Sequence, residues 1–177
     1  MEGKKIFLLF HIAVPLILVE VPYIKSNFRI NRWALIIGSL FPDIVDKTLA
    51  FLNLGFGRGI SHSLLMMGLS FFLLFLITKG NKAISYPFLM GFIAHLVLDL
   101  PHIPLFYPFI SYDFIYLEDP IGFWLETLFT NPVIYITEII GAILLLYIMI
   151  HNKLYKISDI FEYLKTSPQF QIDKLTR

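Results

Sequence analysis

The sequence predicts an all-α fold, a polytopic membrane helical bundle of about five transmembrane helices. Three observations predict it. Of 177 residues, 57% are hydrophobic and 15% charged, 18 are Phe, and the mean hydropathy is +0.74. That composition suits a chain whose solvent is lipid. Apolar runs recur at Ile6 to Val21, Trp33 to Val45, Leu64 to Thr78, Ile84 to Leu100 and Pro132 to Ile150. The Lys and Arg residues between these runs are distributed unevenly, as membrane orientation requires.

The first run follows Lys4 and Lys5 but has no Ala-x-Ala-like cleavage site and contains His11 and Pro15, so it reads as a retained span. Pro15 lacks the amide that would bond the carbonyl of His11, which frees that oxygen. The second run contains GSLFPDIVDK, where Pro42 at a new turn with Asp43 and Asp46 behind it suits a helix start. The three-residue spacing also puts both carboxylates near one face, so capping and ligation are both open.

The third run opens with GRGISHSLL, placing His62 at a helix start as a ligand or an interfacial histidine. In the fourth, His95 and Asp99 are four apart on one face, and Gly91 continues that face one turn deeper. Gly91 and Ala94 permit close helix approach. Pro101 ends the helix near Leu100 and leaves His102 in the turn as an extra candidate ligand. Only the fifth run approaches the roughly 20 residues that span a bilayer core. It carries Glu138, which either moves a proton or holds a neighbouring helix.

With the amino terminus outside, Lys25, Arg29, Arg32, Lys79, Lys82, Lys153, Lys156, Lys165, Lys174 and Arg177 fall on the cytoplasmic side, leaving Lys4, Lys5, Lys47 and Arg58 outside. The carboxyl terminus is then cytoplasmic. This topology brings His11, Asp43, Asp46, His62, His95 and Asp99 to one layer near the outer interface, with Glu138 at similar depth. A charged group at bilayer depth costs about 2.5 to 3.5 kcal/mol on insertion scales, so such residues face a protein interior and carry function.

Residues 1–151 form the expected membrane domain. Residues 152–177 form a cytoplasmic tail with Leu154, Ile157, Phe161 and Leu164 at helical spacing. The segment from Tyr107 to Trp124, rich in aromatics and acids, reads as an interfacial belt in preference to a lid.

The net charge of +1 argues against nucleic acid as a partner and leaves membrane lipid. No cysteine is present, so any metal is held by nitrogen and oxygen. There is no phosphate-binding glycine loop, and GRGISHSLL lacks the strand that a nucleophile elbow needs.

GSLFPDIVDK, RGISHSLL and GFIAHLVLDLPH, after an early His11, resemble the predicted membrane-bound metal-dependent hydrolases of bacteria and archaea. The resemblance covers about residues 8–110 and implies a helical membrane fold with a metal site built from those histidines and aspartates. The His95 and Asp99 pair is also similar to one helix of zinc phospholipase C and of the fungal zinc nucleases, which are soluble enzymes.

Five ligands are expected: His11, Asp43, His62, His95 and Asp99. Imidazole and carboxylate suit zinc first, with manganese, iron or magnesium as alternatives. Five donors exceed the three of a typical catalytic zinc, so either some support the others or two ions share the site. The expected reaction is hydrolysis by metal-activated water of a lipid or lipid-linked phosphate or ester, with Asp46 or Glu138 moving the proton. The alternative is a non-enzymatic membrane metal-binding or transport protein.

Overall fold

The computed structural model describes residues 8–54, 59–114 and 119–165. Lys4, Lys5, Arg58, Lys174 and Arg177, which entered the orientation argument, lie outside the described residues, as do parts of the aromatic belt and of the tail.

The described residues are all-helical, without a strand. The helices are α1 (Leu8–Val19), α2 (Pro22–Asn27), α3 (Arg32–Phe51), α4 (Leu64–Ile77), α5 (Lys82–Asp99), α6 (Pro120–Thr130), α7 (Pro132–His151) and α8 (Ile157–Lys165). One 3-10 turn, Ile60–His62, precedes α4. Their starts follow from local chemistry, because a side-chain oxygen at the cap satisfies an amide that the first turn leaves unbonded. Asn31 accepts from Ala34 N, Ser63 from Met66 N, Asn81 from Ala83 N, Asp119 from Gly122 N and Asn131 from Val133 N. Pro120 and Pro132 then occupy the first turns of α6 and α7, where a missing N–H costs nothing.

One expectation changes and one holds. Pro42 does not begin a helix: α3 runs unbroken from Arg32 to Phe51 with Pro42 inside it, so Asp43 and Asp46 are mid-helix and cap nothing. Tertiary contacts on both sides hold α3 together across the proline. And α7, at 20 residues and a mean hydropathy of 2.4, is the one described helix that is both long and apolar enough to cross a membrane. The apolar helices α1 and α4 are shorter, at 12 and 14 residues.

Helix α3 is the spine, packed against α5 and α1 and touched by α6 and α8. Two glycines set its distance from α5. A Cβ on Gly38 would fall 2.0 Å from Phe88 O, and one on Gly91 would fall 2.0 Å from Leu35 O, so the backbones meet directly. Gly91 makes the close approach that the sequence suggested, and Gly38 answers it from the facing helix.

At one end of the bundle, Leu16, Val19, Leu35, Ile148, Leu154, Tyr163 and Leu164 share a core, so α8 is docked onto the helices. A buried polar knot fastens it. Arg32 is paired with Glu20 at 2.8 Å, donates to Tyr163 O at 3.1 Å and lies 4.2 Å from the centre of the Tyr163 ring. Glu20 also accepts from Tyr163 Oη at 2.8 Å and pairs with Lys25. Burial works to raise the Glu20 pKa, but Lys25, Arg32 and Tyr163 outweigh it and hold the carboxyl below its usual value. Burial pushes the Tyr163 hydroxyl up.

Candidate metal centre

Four elements deliver polar side chains to one point in the interior. His11 comes from α1, Asp43 and Asp46 from α3, His62 from the 3-10 turn, and His95 and Asp99 from α5. All six are buried. The Nε2 atoms of His62 and His95 are 3.1 Å apart. His11 Nε2 lies 3.5 Å from Asp99 Oδ1, and Asp99 Oδ2 lies 3.6 Å from His62 Nε2 and 3.7 Å from His95 Nε2. Asp43 Oδ1 is 3.6 Å from His62 Nε2. The imidazoles of His11 and His95 stack with centres 4.0 Å apart.

The far side of each cross-helix imidazole is anchored. His95 Nδ1 lies 2.5 Å from Ser39 O; a carbonyl only accepts, so this nitrogen carries the proton and Nε2 presents a lone pair. His62 Nδ1 donates to Asp46 Oδ2 at 2.7 Å, which fixes the same tautomer. Asp46 is itself held by Gly59 N at 2.6 Å and Ser61 N at 3.3 Å. Neither ring nitrogen of His11 has a hydrogen-bond partner among the described residues. Its freed carbonyl does find one, as Pro15 implied, by accepting from Ser39 Oγ at 2.5 Å.

Lone pairs directed at one another from 3.1 Å repel unless a proton or cation lies between them. The spacing fits a cation. Two nitrogens each about 2.0 to 2.1 Å from one tetrahedral zinc lie about 3.3 Å apart, and a carboxylate oxygen falls at a similar distance from each. Among the described residues two overlapping sets bring their donor atoms within 4.8 Å of one another, His11 with His95 and Asp99, and Asp43 with His62 and His95.

Asp46 and Glu138, expected to move protons, are each held by hydrogen bonds. Asp46 orients His62. Glu138 accepts from Leu9 N at 3.1 Å and Phe10 N at 3.2 Å, so its carboxylate ties α7 to the backbone of α1. Close by, a Cβ on Gly141 would lie 2.6 Å from Phe10 N, which shows how tightly α7 holds α1. His102 is half-buried and belongs to neither set.

A family model describes 151 consecutive positions here, residues 8–158, and its description is YdjM inner membrane protein. The chain belongs to the YdjM inner membrane protein family. It is therefore a membrane protein, and the YdjM match takes in every residue of the buried cluster together with α7. No match was found among curated proteins or solved structures.

Sequence reasoning missed the supporting groups. Ser39, which accepts from His95 and donates to His11, is an ordinary serine in an apolar run. Ser61 Oγ donates to Pro42 O at 2.8 Å, tying the 3-10 turn to α3. The serines flanking His62 were the one available signal.

Proposed function

We propose that this chain is a polytopic membrane metal-dependent hydrolase whose metal is held by His11, Asp43, His62, His95 and Asp99. The observation that carries the reading is the convergence of His62 and His95 Nε2 at 3.1 Å, with each Nδ1 committed behind it. Metal-ligating histidines characteristically donate their second nitrogen to a carboxylate or carbonyl in this way. Because Nδ1 of His95 is occupied, its remaining lone pair serves one ion.

Zinc suits the nitrogen and oxygen donors best, with manganese, iron or magnesium as alternatives. Such an ion, when bound, lowers the pKa of a water towards about 7 and polarises a phosphoryl or acyl oxygen. The chain's own part is to aim the donors. Asp46 and Ser39 fix the imidazoles, the Gly38 and Gly91 contact fixes α3 against α5, and burial excludes bulk water. Glu138 positions α1 and through it His11.

The five-span arrangement, in α1, α3, α4, α5 and α7, is supported by an apolar outer surface around a buried polar cluster. Ile37, Leu69, Phe72, Ile93, Val97, Ile139 and Ile143 are exposed while His11, Asp43, Asp46, His62, His95 and Asp99 are buried. That inversion suits lipid as the surroundings. The uneven Lys and Arg distribution favours an outer amino terminus and a cytoplasmic α8. A centre near the outer interface would then meet the polar group of an amphiphile, so a lipid or lipid-linked phosphate or ester is the proposed substrate.

One observation favours a second reading, a non-enzymatic metal-binding or transport protein. The side chains of His11, His62, His95 and Asp99 are 0–1% exposed, which suits an ion that is stored or passed on. Turnover separates the two. Purified metal-replete protein should hydrolyse members of a phospholipid and lipid-phosphate panel, and His95→Ala and Asp99→Ala should abolish it while the fold survives. No hydrolysis by wild type, together with cation uptake lost in the same variants, would establish the second reading instead.

A further inference from the structure

Of the five donors Asp43 is the least buried, its side chain 10% exposed against 0–1% for the other four, so it marks the side on which a substrate would approach. One helical turn further on stands Lys47. Its Nζ lies 2.5 Å from Asp43 Oδ2, its side chain is 29% exposed, and it sits 5.9 Å from the centre of the Trp124 ring on α6. Asp43 thus turns one oxygen inward, towards His62, and the other outward to an ammonium.

The charges say what this side admits. Asp43, Asp46 and Asp99 contribute three negative charges, His62 and His95 are neutral in the tautomers above, a neutral His11 adds none, and one divalent ion would contribute two positive. The interior is left at −1, which repels an anion. Lys47 sets a positive charge against this excess on the less buried side of Asp43. An ammonium is a point charge with three donors that binds phosphate without a fixed geometry, and an aromatic ring beside it holds it in place without neutralising it.

We propose that Lys47, steadied by Trp124, receives a negatively charged phosphoryl oxygen on the less buried side of the centre, which makes the substrate class a phosphate-bearing molecule and excludes neutral esters. This rests on the metal reading above. The phosphoryl group belongs either to a lipid headgroup or to a soluble phosphate, and the two sources separate experimentally.

The test uses the full chain in detergent, loaded with zinc, with Trp33→Phe so that Trp124 is the sole remaining tryptophan of two. Its fluorescence is titrated with inorganic phosphate, dioctanoyl phosphatidic acid and dioctanoylglycerol, and zinc is measured on the same samples. The expected result is a saturable response to phosphatidic acid and none to dioctanoylglycerol. A response to inorganic phosphate of equal affinity identifies the free anion as sufficient, whereas a response to phosphatidic acid alone identifies the lipid. Lys47→Met should weaken binding about tenfold or more with zinc retained, and Lys47→Arg should restore most of it. Equal responses of wild type to phosphatidic acid and dioctanoylglycerol would overturn the proposal, as would zinc-loaded Lys47→Met binding like wild type. If Lys47→Met loses zinc, the wild-type comparison of charged and neutral lipid still decides. Wild type without zinc would remove the metal reading, a failure visible in the zinc measurement alone.

Discussion

His62 and His95 face each other across the bundle with their Nε2 atoms 3.1 Å apart, although 33 residues separate them in sequence. Neither ring is free to turn away, since Asp46 holds one and Ser39 O the other.

Replacing the holder should loosen the ion without removing its ligands. Asp46→Asn keeps the size of the side chain but weakens the bond to His62 Nδ1, and metal affinity should fall about 10- to 100-fold. Competition against a chromophoric chelator measures it. An unchanged affinity would show that His62 is oriented by its backbone alone.

The contact between α3 and α5 admits no extra atom at Gly91. Gly91→Ala places a methyl 2.0 Å from Leu35 O and should destabilise the protein by about 1 to 3 kcal/mol or more. Gly68→Ala is the control, because a Cβ there meets nothing within 4 Å and the helix gains a better former. Thermal unfolding in detergent should show a lowered midpoint for the first and none for the second.

We expect Glu138 to hold α1 and to take no part in proton transfer. Glu138→Gln keeps one acceptor but loses the charge that strengthens these two bonds, and stability should fall by about 0.5 to 1.5 kcal/mol. Metal content should be unaltered, and any turnover should keep its pH profile. A pH profile that loses one limb in this variant would return Glu138 to the chemistry.

Acid should release α8. Glu20 has its folded pKa below the ordinary carboxylate value of 4.5, so the stability it supplies is present above that value and is lost as pH falls through the depressed one. Limited proteolysis between residues 157 and 165 should therefore accelerate below about pH 4.5 in wild type. In Glu20→Gln cleavage should be faster at neutral pH and change less on acidification. Identical cleavage of the two proteins across that range would show that the Glu20, Arg32 and Tyr163 knot does not hold the tail.

Much of this was legible in the chain. The five apolar runs became α1, α3, α4, α5 and α7, and the polar residues that hydrocarbon would reject came together. The reason is physical: in so apolar a sequence each buried polar group needs a partner, and the partners are few. Pro42 misled because a proline marks a boundary only where nothing else supports the helix, and α3 is gripped by α5 and α1. Ser39, Gly38 and the docking of α8 were invisible because each depends on which faces of distant segments meet. The role of Glu138 was left between two alternatives for the same reason, since only the fold shows the amides of Leu9 and Phe10 beside it.

The central claim is that these residues hold a metal, and elemental mass spectrometry on detergent-purified protein tests it most directly, with wild type beside His62→Ala, His95→Ala and Asp99→Ala. The account predicts stoichiometric metal in wild type and its loss in variants that remain folded. Well-folded wild type that carries no metal after mild purification and metal supplementation would contradict it.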